Sequence, residues 1–221
     1  MPPKFFPPPT ESTPDGLIAI GGDLSPEYLL DAYRHGIFPW PVYEDEPMLW
    51  WSPDPRAILP LDGLHISRRL QRTLRSKKFR VTCDQAFADV LAACATGPGR
   101  EEGTWLTNEM ICAYVAMHRL GHAHSIEVWQ DDRLVGGVYG IAIGGLFSAE
   151  SMFYRARDAS KVALAHLVAH LKIRAYLLLD VQQWTPHTGR LGVLEIPRNE
   201  YLKRLAKAVE QPVTFGTHLE E

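Results

Sequence analysis

Three polar side chains stand in apolar text: Glu150 after Gly-Gly-Leu-Phe147-Ser-Ala, and Asp180 and Gln182 within Leu-Leu-Leu-Asp180-Val-Gln182-Gln. Residues two apart on an extended strand point to the same face, so Asp180 and Gln182 share a side. A buried Asp beside an amide is costly unless it is paired or meets a ligand. The carboxyl ends of central strands in α/β folds are also where ligands bind. The competing reading has Asp180 capping a backbone turn and Gln182 facing solvent, and the residues alone leave both open. Acyl transfer from coenzyme A would need a glycine-rich loop opening the helix after Glu150, so that bare amides grip a pyrophosphate. That stretch reads Glu150-Ser-Met-Phe-Tyr-Arg-Ala-Arg-Asp-Ala-Ser-Lys161, without a glycine, which argues against coenzyme A.

A second constellation is electrostatic. Between Gly63 and Cys83 there is no acid and there are seven strong bases: Arg68, Arg69, Arg72, Arg75, Lys77, Lys78 and Arg80. On a helix Arg68, Arg72 and Arg75 follow one face while Leu70 and Leu74 take the other. Such a run is often a solvated face. In a chain with net charge −3, however, it also makes a local positive field suited to phosphates. The third feature lies between Gly36 and Arg56, which hold three tryptophans and five prolines. Proline removes a backbone donor and fixes φ, so the spacing predicts a loop, serving either as a stiff aromatic binding surface or as a seam between domains.

The elements that must position these residues follow from capping and periodicity. Ser25 caps a helix over 25–35, with Pro26 in its first turn and Gly36 stopping it. Beyond Pro60 a helix is expected from about 67, a strand over 79–83, a helix over 84–94, a loop over 97–104 and a helix over 107–120. Strands over 124–129 and 134–143 are joined by Gln130-Asp131-Asp132 as a hairpin turn, and a third, over 145–148, is closed by Glu150. A largely buried helix over 158–170, a central strand over 175–181, a segment 190–197 and a last helix over 198–209 complete a mixed α/β (α+β) sheet. The expected organisation is a small N-terminal domain, 1–55, on a GNAT-like (acetyltransferase-like) domain, 56–221.

With 221 residues, 46% of them hydrophobic, the chain can bury one substantial core. No apolar run reaches the length of a membrane helix, and Met-Pro-Pro-Lys-Phe-Phe-Pro-Pro-Pro is no signal peptide, so a cytoplasmic location and no membrane partner are expected. Cys83, Cys94 and Cys112 lack C-x-x-C spacing and read as reduced core thiols. His118 and His122, like His166 and His170, would share helix faces. Neither pair has the carboxylate partner of a zinc motif, so no metal is expected. Nothing marks an interface, and a monomer is the default.

Ten blocks of this text together resemble the leucyl/phenylalanyl-tRNA–protein transferase family, from about Gly16 to Leu202 and in the family's order. They are Gly16-Leu-Ile-Ala-Ile-Gly-Gly-Asp23-Leu, Tyr33-Arg-His-Gly-Ile-Phe-Pro-Trp40, Leu49-Trp-Trp-Ser-Pro-Asp-Pro-Arg56, Leu64-His-Ile-Ser67, Arg100-Glu-Glu-Gly-Thr-Trp105, Leu120-Gly-His-Ala-His-Ser-Ile-Glu-Val-Trp129, Leu134-Val-Gly-Gly-Val-Tyr-Gly140, Glu150-Ser-Met-Phe153, Asp158-Ala-Ser-Lys161 and Leu191-Gly-Val-Leu-Glu-Ile-Pro-Arg198. The resemblance implies transfer of Leu or Phe, with Met as a further donor residue, from Leu-tRNA or Phe-tRNA to the α-amine of proteins beginning with Arg or Lys, marking them for degradation. The donor ester is already activated, so no cofactor is implied. The enzyme has to align a partly neutral amine, reference pKa about 7.7–8.0, with the ester carbonyl.

By the same resemblance Asp180 and Gln182 serve the transfer and Glu150 the acceptor. Because an amide accepts a hydrogen bond but scarcely a proton, the expectation is that Gln182 orients the amine, Asp180 polarises that arrangement, and Glu150 pairs with the acceptor's Arg or Lys side chain. The implied aminoacyl pocket uses Trp40, Trp105, Phe147, Met152, Leu164, Leu167, Leu171 and Leu179. Periodicity alone makes Leu164, Leu167 and Leu171 a core stripe, so their membership rests on the resemblance. Family members with aromatics matching Leu167 and Leu171 differ here, and the ranking of Leu, Phe and Met does not carry over. The seven bases become the acceptor-arm surface for tRNA. The competing class is a non-catalytic module binding RNA or peptide termini, against which the presence of Glu150, Asp180 and Gln182 together counts.

Overall fold

Ser25 and Gly36 bound the first helix as their capping chemistry requires. In the computed structural model of the protein, which describes residues 2–41, 47–96 and 105–219, β1 (Leu17–Ile20) precedes α1 (Pro26–Arg34), where the Ser25 hydroxyl accepts from the Tyr28 N–H and Gly36 takes φ +77°. The region expected as a loop is instead partly strand. It supplies β2 (Phe38–Pro39) and β3 (Leu49–Trp51), which join β1 in an antiparallel sheet of order β1-β3-β2, and it leads into β4 (Arg56–Ile58). Pro39 is tolerated because β2 is an edge strand, where a missing donor breaks no ladder. Trp50 is no surface aromatic: it is fully buried against Phe6 and Tyr28, its Nε1–H donating to the Gly21 carbonyl at 2.7 Å.

The chain continues through α2 (Arg68–Arg75), β5 (Arg80–Cys83), α3 (Phe87–Thr96) and α4 (Asn108–Arg119). The loop expected over 97–104, with most of the block before Trp105, lies outside the described residues. Next come β6 (Ala123–Gln130), β7 (Arg133–Ile143) and β8 (Leu146–Tyr154). They are followed by α5 (Ala159–Ile173), β9 (Leu178–Gln182), α6 (Pro186–Gly189), β10 (Leu194–Ile196) and α7 (Arg198–Ala208). Asp131 and Asp132, with φ of 48° and 57°, form the two-residue turn between β6 and β7. The large sheet has order β10-β4-β9-β8-β7-β6-β5. Every pair is antiparallel except β8–β9, which α5 connects as a parallel crossover, giving a mixed sheet.

Alternation along β7 separates two cores. Tyr139, Ile141 and Ile143 face α1, α3 and α4, whereas Val138 and Ala142 face α5. Close approach explains two of the β7 glycines. A Cβ on Gly136 would lie 2.6 Å from that of Ala159 at the start of α5, and one on Gly140 would lie 2.2 Å from the Ser148 carbonyl. Two lesser expectations are corrected. Cys112 is exposed rather than in the core, because Met110, Tyr114 and Met117 form the buried face of α4 and position 112 points away from it. His118 and His122 do not share a helix face, since α4 ends at Arg119 and Gly121 turns the chain at φ +79°. Among the described residues no helix is long and apolar enough to cross a membrane.

Candidate active site

The site lies where two neighbouring strands part. β8 and β9 pair through Leu146↔Leu178, Phe147↔Leu179 and Ser148↔Asp180, and no further. Beyond that point β8 runs on to Tyr154, so Glu150 does not close a strand as expected but sits within it. Its backbone explains the side chain's direction. On β7, Tyr139 pairs with Ser151 and Gly140 with Ala149, leaving Glu150 as the unpaired residue of a bulge. A bulge shifts the alternation by one, so Phe147 and Ala149 face α5 and then so does Met152. β9 ends equally abruptly, with Gln182 at φ +58°, a left-handed conformation costing of order 1–3 kcal/mol for a residue with a side chain.

Both irregularities aim polar groups at each other. Gln182 Nε2–H donates to Glu150 Oε1 at 2.9 Å and to Ser148 Oγ at 3.1 Å. Among the described residues none donates to Gln182 Oε1. Asp180 reaches Gln182 through the main chain, its Oδ1 accepting the Gln182 N–H at 2.9 Å. The rest of the Asp180 carboxylate is taken. Arg56 donates from Nε to Oδ1 at 2.9 Å and from Nη2 to Oδ2 at 2.6 Å, and the Tyr201 hydroxyl donates to Oδ2 at 2.9 Å. Arg56 and Asp180 are each only 1% exposed. The guanidinium lies between the Phe38 and Tyr201 rings, 4.7 and 4.5 Å from their centres, and donates to the Gly36 carbonyl. Burial is the largest influence and opposes its charge, but the charge and hydrogen bonds of Asp180 together with Tyr201 and Glu150 outweigh it and hold its pKa above the usual arginine value.

Glu150 has no such cation. It accepts from the Tyr114 hydroxyl at 3.3 Å and from Ser148 Oγ at 3.3 Å, and Tyr33 bonds Tyr114 at 3.0 Å behind it. Burial, aided by the Asp180 charge and opposed by the hydroxyl donors, pushes its pKa up to about 7. Burial first, then the charge of Glu150, holds Tyr33 and Tyr114 well above the usual phenol value, so both remain O–H donors. The result is one fixed ion pair beside one carboxyl poised at neutrality.

A cavity of about 310 Å³ opens at this split, at the small end of ligand pockets. Glu150 and Gln182 reach it beside the apolar side chains of Trp40, Trp105, Val138, Met152, Leu164 and Val181. The Trp40 and Trp105 rings lie 5.5 Å apart and tilted by 32°. Thus Trp40, Trp105, Met152 and Leu164 of the expected pocket come together there. Phe147, Leu167, Leu171 and Leu179 do not line it and belong to the packed core. Phe147 and Leu179 are register partners in the joined part of β8 and β9, while Ala149 and Val181, one pleat further along the same face, are at the opening. Leu167 and Leu171 continue the Leu164 stripe away from the cavity along α5. The seven bases are all exposed; Arg69 pairs with Asp158 at 2.9 Å and Arg80 with Asp132 at 3.6 Å. Among the described residues no group of three or more His, Cys, Asp or Glu could hold a metal ion.

Sequence reasoning assigned no role to Arg56, Tyr201, Tyr33, Tyr114 or Ser148. Arg56 carried a signal, since an arginine opening the strand Arg-Ala-Ile-Leu has few reasons to be there except a buried partner. The tyrosines sit at apolar helix positions and read as core.

Comparison with known proteins is consistent along the chain. Residues 58–206 match the family profile described as leucyl/phenylalanyl-tRNA protein transferase, and residues 22–54 that of its N-terminal domain. Proteins named leucyl/phenylalanyl-tRNA–protein transferase are similar over 96% of this chain. That of Nitratidesulfovibrio vulgaris (strain DP4) is 54% identical with 91% of its own length covered, that of Anaeromyxobacter sp. (strain K) 53% with 91%, and that of Xanthomonas axonopodis pv. citri (strain 306) 50% with 86%. Among solved structures, a ribosomal-protein-alanine N-acetyltransferase from Brucella melitensis biovar Abortus 2308 is 16% identical with a TM-score of 0.36, covering 51% of this chain and 85% of that one. L-PGS from Bacillus licheniformis is 14% identical with a TM-score of 0.41, covering 73% and 52%.

Proposed function

Because this chain belongs to the leucyl/phenylalanyl-tRNA–protein transferase family and so moves an aminoacyl group from tRNA to a protein's N-terminus, we propose that the reaction runs in the cavity at the β8–β9 split, with Leu or Phe as the transferred residue. One observation carries the reading: Glu150, Gln182 and an apolar wall holding two tryptophans meet in a single cavity of about 310 Å³. In the reaction the acceptor's α-nitrogen attacks the ester carbonyl carbon, the bond to the tRNA ribose oxygen breaks, and the proton lost by the amine is balanced by one gained at that oxygen. Gln182, anchored through Nε2 to Glu150 and Ser148, offers Oε1 to orient the incoming amine. Asp180 acts on this geometry from behind. Locked by Arg56 and Tyr201, it accepts the Gln182 N–H and so holds the backbone turn that points the amide. Glu150 takes the cationic side chain of an acceptor beginning with Arg or Lys, a charge-assisted pairing at a carboxyl with no resident cation. Trp40, Trp105, Met152 and Leu164 hold the aminoacyl side chain.

The test is transfer of radiolabelled leucine from Leu-tRNA to a protein beginning with Arg, comparing wild type with Gln182→Gly, which keeps the left-handed backbone and removes the side chain that carries the amide. Transfer that falls about tenfold or more in the variant supports the assignment. Absence of transfer by a wild type that still binds tRNA would establish a binding module instead.

A further inference from the structure

Lys161, quoted in the block Asp158-Ala-Ser-Lys161 without a role, points into a second and larger cavity. This cleft, of about 560 Å³, is lined by His65, Arg69, Lys161, His187 and Arg190, with Leu191 forming a wall shared with the aminoacyl cavity. The turn between β9 and β10 divides the two, Thr185 and Thr188 facing one side and His187 the other. We propose that this cleft holds the phosphates of the donor tRNA's single-stranded 3′ end, and that Lys161 and Arg190, together with Arg69, are its phosphate-binding residues.

The charge arrangement supports this. Three strong bases converge from separate elements, and among the described residues the acid paired with them, Asp158, already serves both Arg69 at 2.9 Å and Lys161 at 3.9 Å. A positive excess is left facing the cleft. The histidine in the dividing turn reports the same field: burial first, then the charges of Lys161 and Arg190, lower the pKa of His187. Ser67 and Lys161 place the first turns of α2 and α5 at the cleft, so the helix dipoles add to the side-chain charge. Trp184 opens the dividing turn. It is 45% exposed and seated on Gly189, where an added Cβ would lie 2.6 Å from its Nε1. A basic groove, with an exposed aromatic on the turn that borders it, is the pairing that single-stranded nucleic acid binds, phosphates on one and bases on the other. The aminoacyl ester is carried on the last nucleotide, so a donor whose side chain fills one cavity must lay its preceding phosphates close by. The cleft across Leu191 is that place, whereas the outward bases Arg68, Arg72 and Arg75 are left for the paired acceptor stem.

This inference rests on the aminoacyl reading of the adjoining cavity, and the experiment separates the two. Affinity is measured for Leu-accepting tRNA with its complete 3′ end and for the same tRNA trimmed of its last three nucleotides, with wild type and with Lys161→Gln/Arg190→Gln. The wild type should favour the complete tRNA. The variant should lose that advantage, bind trimmed tRNA as before, and show a slope of log affinity against log salt smaller by about 1.4 for two lost single-strand contacts. Its unfolding temperature should not move, whereas a merely structural role would require it to fall. Equal weakening for both tRNAs, or no weakening, overturns the cleft assignment while wild-type transfer leaves the parent reading standing. A wild type that neither binds tRNA nor transfers overturns both.

Discussion

Glu150→Gln separates two roles that the site geometry gives to one carboxyl. The exchange keeps the shape, and the amide oxygen in place of Oε1 can still accept from Gln182 and Ser148, while the NH2 in place of Oε2 meets the Tyr114 hydroxyl as a donor. It removes the charge, the capacity to take a proton and one acceptor position. If Glu150 pairs with the first side chain of the acceptor, the loss is that of one charge-assisted hydrogen bond, about 1.5–3 kcal/mol. That corresponds to roughly 10- to 150-fold in kcat/KM for Arg-initiated peptides, with little change for Ala-initiated ones. If Glu150 instead collects the amine proton, kcat should fall by about 10²–10⁴ on every acceptor. The assay is steady-state transfer to matched peptides beginning with Arg, Lys and Ala. The pH dependence adds a second arm, because the α-amine titrates in all three and cancels from the Arg-to-Ala ratio. Only the carboxyl of Glu150, which ionises near pH 7 in the free enzyme, is left to move it. The wild-type ratio should therefore climb as pH rises from 6 to 8, and the Glu150→Gln ratio should be flat. An unchanged Arg-to-Ala preference in the variant refutes the pairing.

Three further outcomes follow from the same geometry. Arg56→Met strands Asp180 as a buried charge and should cost about 3–5 kcal/mol, read as a lowered denaturation midpoint at unchanged m-value. The raised pKa of Glu150 has a definite sign for stability. Its contribution is fully present below the unfolded value of 4.5 and is lost as pH climbs through about 7. By linkage the wild type thereby gives up at most about 3 kcal/mol by pH 8, so Glu150→Gln should be the more stable protein there and lose that advantage below pH 4.5, as denaturant titrations at both values would reveal. Finally, Leu164→Phe should narrow the cavity and shift the preference between Leu-tRNA and Phe-tRNA. Leu167→Phe, packed in the core, should cost about 1–3 kcal/mol of stability and leave the preference unchanged.

The elements were legible where capping and periodicity are local. Ser25, read as a cap, and Ser67 and Thr107, where helices were expected to start, each cap the helix that follows, their hydroxyls accepting the N–H groups of Tyr28, Leu70 and Met110. The two-residue Asp131-Asp132 turn set the β6–β7 register in the same way. What stayed hidden depends on pairing between distant strands. No local signal says that Pro39 lies on an edge strand, or that the three residues of β4 insert between β9 and β10 and carry Arg56 to Asp180 across 124 positions of sequence. The bulge at Glu150 is likewise a property of β7 and β8 together. Reading β8 alone ends the strand where the alternation breaks, and that break is what aims Glu150 at the cavity. The pocket shows the same limit. A stripe of leucines identifies the inward face of α5, but where along it the core gives way to a cavity depends on where β8 and β9 separate.

That separation also explains why two carboxyls a few residues apart in space behave differently. Asp180 and Glu150 are both withdrawn from bulk water near one buried guanidinium, and Arg56 can form its fork with only one of them. It takes Asp180, the residue still held in the joined part of the sheet, where Ile58 of β4 is its register partner. Glu150, pushed past the split by its bulge, receives only neutral donors from Tyr114, Ser148 and Gln182. The asymmetry leaves one carboxyl spent on architecture and one without a cation at the edge of the cavity. An acceptor bringing its own Arg or Lys side chain supplies the missing partner, and an acceptor without one leaves Glu150 buried and unpaired. Discrimination against such acceptors then comes from the site's own unmet electrostatics and requires no steric exclusion.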